Sequence, residues 1–366
     1  MKNIEYRYAE LLIKYCIDLQ PEETLLIKSE PLAKPLMLTL YDSAIRAGGH
    51  PVIITDYLQT ERILMTQGNV RQINRVDPFF ELGIKTFDAY IHILAPENLA
   101  ELQNIPSDTK ALRQRANQSI MDTYFDRLGS GRLKRSLCQY PTEAAAMKAG
   151  MSLSEYKSFV YKACHLYEAD PMKAWLQVRK TQQAMVDRLS LASKFRYVGP
   201  QTDISFSTKG RKWINSDGRN NMPSGEVFTS PVEDSVEGFI YFSYPSSYMG
   251  NNVEGVTLKV KNGMVVEWTA EKGMGFLDKI FSLDGSRQFG EAAIGTNMNI
   301  QKTSGNILFD EKIGGSVHMA LGQSYSQTGG KNKSSIHWDL ITDMKNGGQI
   351  FADEVLVYEN GCFIDL

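Results

Sequence analysis

The chain has 366 residues, and because domains typically run to about 150 residues, this length favours two domains. Its 40 Lys and Arg residues against 42 Asp and Glu residues leave a formal net charge of −2. That balance argues against a protein that coats nucleic acid or an anionic membrane, so we expect neither as a partner. Hydrophobic residues at 42% and charged residues at 22% are typical of an ordinary globular protein.

Cysteine usage and the N-terminus bear on the compartment. The four cysteines form no C-x-x-C pair, so we expect neither a disulfide framework nor a cysteine zinc site, and we expect a cytoplasmic protein. Charged residues such as Glu5 and Arg7 interrupt the apolar run that a signal peptide needs. No stretch approaches the roughly 18 apolar residues of a membrane span. The cysteines are Cys16, Cys138, Cys164 and Cys362.

The first third of the chain alternates helical periodicity with short apolar strands. Strands separated by helices predict a parallel sheet with right-handed crossovers, here an open α/β layer over about residues 1–110. No G-x-G-x-x-G follows the first strand, which disfavours a dinucleotide site. The predicted helices are 2–19 and Pro35–Ala47, and the predicted strands are Thr24–Lys28, Pro51–Thr55 and Ala89–Leu94.

The composition changes near residue 195. Residues 110–195 are mostly helical in pattern, with one strand at Leu133–Tyr140, whereas the rest is rich in Gly, Ser, Thr and Asn with period-two segments. We therefore predict an α/β and helical domain over 1–195 and a β-rich α+β domain over 196–366. One helix is expected in the second domain, around Leu283 to Ile294.

Two of the five histidines stand in unusual surroundings; the other three fit core or surface positions. His337 and Asp339 lie two apart on a predicted strand, so both side chains project from one face while Trp338 faces the other way. This pair is half of a metal site, or a base with its orienting carboxylate, or a surface pair on an amphipathic strand. His318 lies among glycines and apolar residues.

Two carboxylates have similar surroundings. Glu291 is flanked by small apolar residues on the predicted helix, and Glu226 follows a Pro-Ser-Gly turn at the start of a strand. Buried carboxylates and imidazoles are costly unless they are paired or coordinated, so together these residues suggest a metal.

Five segments of the second half, taken in order, resemble the M29 metallo-aminopeptidases. They run from Thr202-Asp203 through Arg211, and then cover Asn221–Pro231, Arg287–Asn297, Phe309–Gly322 and the His337-Trp338-Asp339 strand. This resemblance implies that the second domain is a metal-binding catalytic domain. The implied ligands of a two-metal centre are Glu226, Glu291, His318, His337 and Asp339, and the implied active-site tyrosine is Tyr325.

The chemistry of these residue types agrees with the resemblance. Carboxylates and imidazoles without thiolates suit two divalent ions of zinc, cobalt or manganese. We give Glu291 the bridging and catalytic role because we expect it on a rigid helix, with a two-metal-activated water attacking the peptide carbonyl. The Tyr325 hydroxyl would stabilise the developing oxyanion, although the residue type alone equally fits a packed tyrosine.

The expected substrates are peptides with a free N-terminus. Exopeptidases usually close off their cleft, and the resemblance suggests a homodimer that does so. Phe228, Phe289 and Trp338 either line a pocket for apolar N-terminal residues or belong to the core. Glu311 is a candidate either to support a metal ligand or to contact the substrate amine, but we expect a solvated charge within the Asp310-Glu311-Lys312 run.

Two alternative functions differ in class from an aminopeptidase. One is a non-catalytic metal-binding or small-molecule-binding protein that retains the ligand set. The other is a two-metal phosphoesterase, which the sequence disfavours because few basic residues flank the histidine segments, mainly Lys312, Lys331 and Lys333.

Overall fold

The structure is a computed structural model that describes residues 3–365. This range leaves out Met1, Lys2 and Leu366. The predicted helix 2–19 begins at one of them, and the other two are the outer ends of the two predicted domains. The α-helices between residues 3 and 365 are α1 Ile4–Leu11, α2 Lys34–Arg46, α3 Leu58–Gln67, α4 Val70–Ile73, α5 Pro78–Thr86, α6 Ser107–Ala116, α7 Gln118–Gly129, α8 Glu143–Lys148, α9 Leu153–Ala163, α10 Pro171–Leu189, α11 Met274–Ile280 and α12 Ile307–Asp310. A π-helix, Leu12–Cys16, continues α1.

Between residues 3 and 365, four strands lie in the first half of the chain and sixteen in the second half. They are β1 Thr24–Ser29, β2 His50–Thr55, β3 Ala89–Leu94, β4 Lys134–Gln139, β5 Lys194–Gly199, β6 Thr202–Ser207, β7 Ile214–Ser216, β8 Asn221–Met222, β9 Glu226–Thr229, β10 Glu237–Phe242, β11 Ser246–Tyr248, β12 Asn251–Val253, β13 Val256–Lys261, β14 Met264–Thr269, β15 Phe289–Gly295, β16 Ser316–Gly322, β17 His337–Asp343, β18 Gln349–Ala352, β19 Val355–Glu359 and β20 Cys362–Phe363. Between residues 3 and 365, no helix combines the length and apolar character that crossing a bilayer requires.

The first compact unit contains the residues up to Met172 together with Gly218–Pro223. Its sheet has the strand order β2-β1-β3-β4-β8, and every neighbouring pair is parallel. Strand β1 lies between β2 and β3 and is apolar, with Leu25 and Ile27 fully buried, as expected of a parallel strand that helices cover on both faces. The predicted open parallel sheet is confirmed, and the predicted strand Ala89–Leu94 has the bounds of β3.

The second compact unit comprises Lys173–Asp217 and Ser224–Leu366. One sheet has eight strands in the order β14-β13-β10-β6-β5-β18-β19-β20, and another has five in the order β17-β16-β15-β9-β7. One hydrophobic cluster draws residues from both sheets, for example Tyr197 and Ile240 from the first and Met319 and Leu340 from the second. The predicted β-rich character of this half is confirmed.

The helix α10 groups with the second unit, so the division near residue 172 lies before the predicted break at 195. Val186 and Leu189 belong to the hydrophobic cluster of the second unit. The buried Gln182 amide donates to the Glu226 carbonyl and accepts from the Thr296 hydroxyl. Composition marks the end of the helical region, but side-chain packing places this last helix with the strands that follow.

The predicted helix around Leu283 to Ile294 is wrong. Helix α11 ends at Ile280, and Phe289–Gly295 forms the strand β15, which lies between β9 and β16. Every residue of β15 is buried. A strand buried on both faces shows no alternation of apolar and polar residues, and its Ala and Gly content imitates a helix. Gly and Ala fit in β15 because β9 and β16 are paired with it on either side and both of its faces are packed.

Candidate metal centre

One face of the five-stranded sheet carries the residues that the sequence selected. Strand β9 begins with one carboxylate, β15 supplies a second, β16 supplies an imidazole, and β17 supplies an imidazole and a carboxylate two positions apart. Residues directly opposite in paired strands share a face, so the register places them all on one side. The opposite face, which includes Trp338 and Met319, belongs to the hydrophobic core. The five residues are Glu226, Glu291, His318, His337 and Asp339.

Small residues separate the polar side chains along the sheet. Ala320 of β16 stands between Glu291 and Asp339, paired with both. Ala293 of β15 is paired with His318 in the same way. Because a methyl group is the largest side chain at these positions, the longer carboxylate and imidazole side chains converge over them without obstruction.

The polar side chains form two overlapping groups that share Glu291. In the first group, His318 Nε2 lies 3.5 Å from Glu226 Oε2 and 3.7 Å from Glu291 Oε1. In the second group, His337 Nε2 lies 3.1 Å from Glu291 Oε2 and 3.6 Å from Asp339 Oδ1. Within each group the donor atoms all lie within 4.8 Å of one another. Glu291 thus offers one oxygen to each group.

Several of these atoms are buried without a hydrogen bond among residues 3–365, namely Glu226 Oε2, Asp339 Oδ1 and both nitrogens of His318. Buried polar atoms in folded proteins normally have partners, so this concentration on one sheet face is unusual. The His337 Nδ1–H, in contrast, donates to the Gln323 carbonyl at 2.7 Å. That bond leaves His337 Nε2 free to face the carboxylates, which is the arrangement typical of a metal-ligating histidine.

The carboxylates of the two groups stabilise positive charge on His318 and His337. Burial alone would lower the pKa of His318, but Glu291, Asp339 and Glu226 outweigh it and raise that pKa to about 9. Burial alone would raise the pKa of Asp339, but His337, His318 and Lys312 lower it to about 2. Asp339 is therefore ionised, and protons on the imidazoles balance part of the negative charge of the site.

These residues fit divalent metal ions. Two ligands at about 2.0–2.1 Å from a tetrahedral zinc ion lie roughly 3.3 Å apart, close to the separations within both groups. Glu226 Oε2 and Asp339 Oδ1, both buried without a hydrogen bond, lie 3.5 and 4.0 Å from His318 Nε2. Carboxylate oxygen with imidazole nitrogen is the donor set of zinc, cobalt and manganese.

A family model described as thermophilic metalloprotease (M29) matches residues 2–363. The chain belongs to this M29 family. The resemblance inferred from the sequence is confirmed, and the metalloprotease family agrees with the donor set on the sheet.

Relatives of this M29 chain are known from several bacteria. Aminopeptidase PepS from Streptococcus thermophilus is 28% identical over 99% of this chain and 98% of PepS. Aminopeptidase 2 from Geobacillus stearothermophilus is 26% identical over 95% of this chain and 87% of that protein. The solved structure of wild-type AmpT from Thermus thermophilus superposes with a TM-score of 0.86 at 21% identity, covering 99% of both chains, and so shows the same fold.

Tyr325 of this M29 chain lies beside the two groups. Its ring centroid is 4.9 Å from that of His337 and 5.6 Å from that of Phe228, and the residue is 42% exposed. Thr328 fixes its backbone, because the Thr328 hydroxyl donates to the Tyr325 carbonyl at 2.6 Å. Burial of the phenol and the nearby carboxylates, Glu291 first, raise the pKa of Tyr325 well above its ordinary value. The hydroxyl therefore remains a proton donor.

The expectation that Glu311 is a solvated charge is wrong. Its side chain is 15% exposed, the Lys312 side chain is fully buried, and the two form an ion pair. Burial raises the pKa of Glu311 and the Glu226 and Asp339 carboxylates raise it further, whereas the buried Lys312 ammonium opposes them by stabilising the ionised form. Sequence reasoning missed Lys312 as a site neighbour, because a run of three charged residues is normally solvated and only long-range packing buries this one.

The aromatic residues left open by the sequence divide between core and site. Phe289 and Trp338 belong to the hydrophobic core on the opposite face of the sheet. Phe228 is buried on the site face and meets the Tyr325 ring edge to face. Of the three, only Phe228 has a position from which an apolar wall of the site could be built.

Proposed function

We propose that this chain is a metal-dependent aminopeptidase with two divalent ions, zinc, cobalt or manganese, at the five-stranded sheet. The observation that carries the proposal is the pair of overlapping groups that share Glu291, with buried donor atoms that have no hydrogen bond among residues 3–365. Membership of the M29 metalloproteases and relatives named as aminopeptidases support it.

The residues divide between the two ions according to the two groups. Glu226, Glu291 and His318 would hold one ion, and Glu291, His337 and Asp339 the other. Glu291 would serve both ions because it is the member that the two groups share, and its strand has hydrogen-bonded neighbours on both sides. The predicted rigidity of Glu291 thus remains, although a buried strand provides it rather than a helix.

Each residue has a role consistent with its position. The bound ions would lower the pKa of a water molecule and polarise the peptide carbonyl. The Tyr325 hydroxyl, beside the His337 ring, would donate a hydrogen bond to the oxyanion that develops on the carbonyl oxygen. The Gln323 carbonyl orients the His337 ring through its Nδ1–H.

The substrates are peptides with a free N-terminus, and Phe228 beside Tyr325 favours apolar N-terminal residues. We also propose a cytoplasmic homodimer that closes off the cleft, since an exopeptidase must exclude internal peptide segments. Sedimentation of the metal-loaded chain tests this assembly, which a monomer at micromolar concentration would contradict.

The proposed activity is tested with leucine p-nitroanilide and its N-acetyl derivative. Protein stripped with a chelator is reloaded separately with zinc, cobalt or manganese, and release of p-nitroaniline is followed. We expect release from the free amine, at most weak release from the acetylated compound, and loss of activity in Glu291→Gln. Glu271→Gln is the matched control, because Glu271 is exposed and lies outside both groups.

Failure has a definite meaning in this experiment. Absence of release with all three metals, despite stoichiometric metal binding and several amino-acid amides tested, would favour a non-catalytic metal-binding protein. Equal release from the free and acetylated substrates would favour an endopeptidase-like or esterase-like hydrolase instead.

A further inference from the structure

Lys312 is a fully buried lysine beside the proposed metal centre. Lysine is almost never completely buried unless it is paired. Its Nζ atom lies 3.5 Å from Glu226 Oε1, and it forms an ion pair with Glu311 Oε1. Both partners are themselves nearly buried, at 7% and 15% side-chain exposure. The ammonium therefore has a defined place rather than a mobile one at the surface.

The chain around Lys312 is fixed by hydrogen bonds. The preceding Asp310 carboxylate accepts from the Ser304 hydroxyl at 2.8 Å and from the Gly305 amide at 2.9 Å. The Lys312 carbonyl accepts from the Asn297 amide at 3.1 Å. These hydrogen bonds fix the chain just before Lys312 and the carbonyl group of Lys312 itself.

Asn297 also holds the segment that leads into Glu226. Its side-chain amide donates to the Ser224 carbonyl at 2.8 Å. Gly225 has φ +116, and a Cβ atom there would lie 2.7 Å from Asn297 Cβ, so the two backbones approach closely. Asn297 thus joins the backbone of Lys312 to the segment that leads into Glu226.

The two oxygens of Glu226 have different surroundings. Oε1 is the oxygen that Lys312 approaches, whereas Oε2 has no hydrogen bond among residues 3–365 and faces His318 Nε2 at 3.5 Å. The charges around Lys312 also favour a positive group at this position. Four carboxylates, from Glu226, Glu291, Glu311 and Asp339, come together here, and Lys312 supplies a fixed positive charge among them.

We propose that Lys312 is a positioning residue of the metal centre: its ammonium holds Glu226 through Oε1, leaves Oε2 for a metal ion, and balances the carboxylates before metal arrives. This inference rests on the proposed metal-dependent function. Without the ammonium, the metal-free site contains uncompensated buried negative charge, whereas the metal-loaded site has divalent cations to balance it. The loss should therefore fall mainly on the metal-free protein.

The test compares Lys312→Met with wild type in thermal unfolding, with and without zinc. Removing one partner of a buried ion pair should lower the Tm of the metal-free variant by roughly 6–20 °C. Saturating zinc should then raise the Tm of Lys312→Met by at least about 5 °C more than it raises that of wild type. Lys345→Met is the matched control, because Lys345 Nζ also lies 3.5 Å from a carboxylate oxygen, that of Asp343, but its side chain is 29% exposed. We expect the same zinc-induced shift in this control as in wild type.

Equal zinc-induced shifts in wild type and Lys312→Met would overturn the proposal, because Lys312 would then support only the fold. If Lys312→Met fails to fold in both conditions, the double variant Lys312→Met/Glu311→Gln decides. Removal of the Glu311 negative charge should restore a folded metal-free protein. A double variant that still does not fold contradicts the proposal that Lys312 balances the carboxylates. A wild-type Tm that zinc does not change would contradict the metal centre itself, a different result from equal shifts.

Discussion

Tyr325 is the residue whose proposed role depends on a single atom, its hydroxyl oxygen. Tyr325→Phe removes the donor to the oxyanion but none of the proposed ligands. We expect kcat to fall by about 10²–10³-fold, with the bound metal unchanged. Steady-state kinetics and metal analysis of the same preparation measure both quantities.

The control for Tyr325→Phe is Tyr241→Phe. Tyr241 lies in β10 of the other sheet, and its hydroxyl is 3.5 Å from the Glu271 carboxylate. This control should keep wild-type kcat. Retention of kcat in Tyr325→Phe as well would remove the hydroxyl from the mechanism.

His92 offers a pH-dependent prediction in the first unit. Burial, with Lys28 and Arg135 nearby, lowers the pKa of His92 to about 4. The unfolded chain therefore binds this proton near pH 6.5 and the folded chain only near pH 4, so acidification across that window destabilises the fold, by on the order of 3 kcal/mol. The His92→Leu variant should lack this part of the stability loss on acidification. Tm measured between pH 7.5 and 4.5 checks it, and parallel curves for the two proteins would contradict the assignment.

Individual site residues differ in how far the sequence predicts them. The common face of His337 and Asp339 follows from strand periodicity alone, and the structure confirms it. Selection of Glu226 and Glu291 needs the resemblance, because buried carboxylates in small-residue surroundings have several explanations. Lys312 is missed, since its burial depends on contacts with residues distant in sequence.

The strands β16 and β17 illustrate how backbone geometry positions the site. Gly322 at the end of β16 pairs with His337 and has φ +97. A Cβ atom at Gly322 would lie 2.3 Å from the Ile336 carbonyl oxygen. Only glycine allows the two strands to approach so closely beside a proposed ligand.

Gly322→Ala should therefore separate the strands and weaken the fold. We expect the free energy of unfolding to fall by on the order of 3 kcal/mol, from left-handed strain and the backbone clash together. Gly150→Ala is the control, because Gly150 has φ +63 but a Cβ atom there would meet nothing within 4 Å, so a loss of about 1 kcal/mol is expected. Urea unfolding measures both, and equal losses would show that the close approach has no cost.

Secondary structure is predictable where a pattern is local. The alternating helices and apolar strands of the first unit, including Ala89–Leu94, follow from periodicity. The strand β15 does not, because Ala and Gly are compatible with either structure and its neighbours β9 and β16 decide the outcome. The sequence therefore predicts a helix where Glu291 lies on a strand, although it identifies Glu291 itself as a candidate ligand.

At the scale of the whole molecule, the proposed metal site lies entirely on residues of the second unit. Zinc should accordingly slow hydrogen exchange in β9, β15, β16 and β17. Exchange in β1 and β3 of the first unit should not change. Hydrogen-exchange mass spectrometry of stripped and zinc-loaded protein measures this difference, and equal protection of both units would contradict a site confined to the second.

We propose above that two metal ions, both bound by Glu291, produce aminopeptidase activity. The most direct measurement is a zinc titration of stripped protein in which bound zinc per chain and the rate of leucine p-nitroanilide hydrolysis are recorded together. We expect zinc binding to saturate at two ions per chain and full activity to appear only after the second ion binds. Glu291→Gln should show neither result. Full activity at one ion per chain, or two bound ions without hydrolysis, would contradict this proposal.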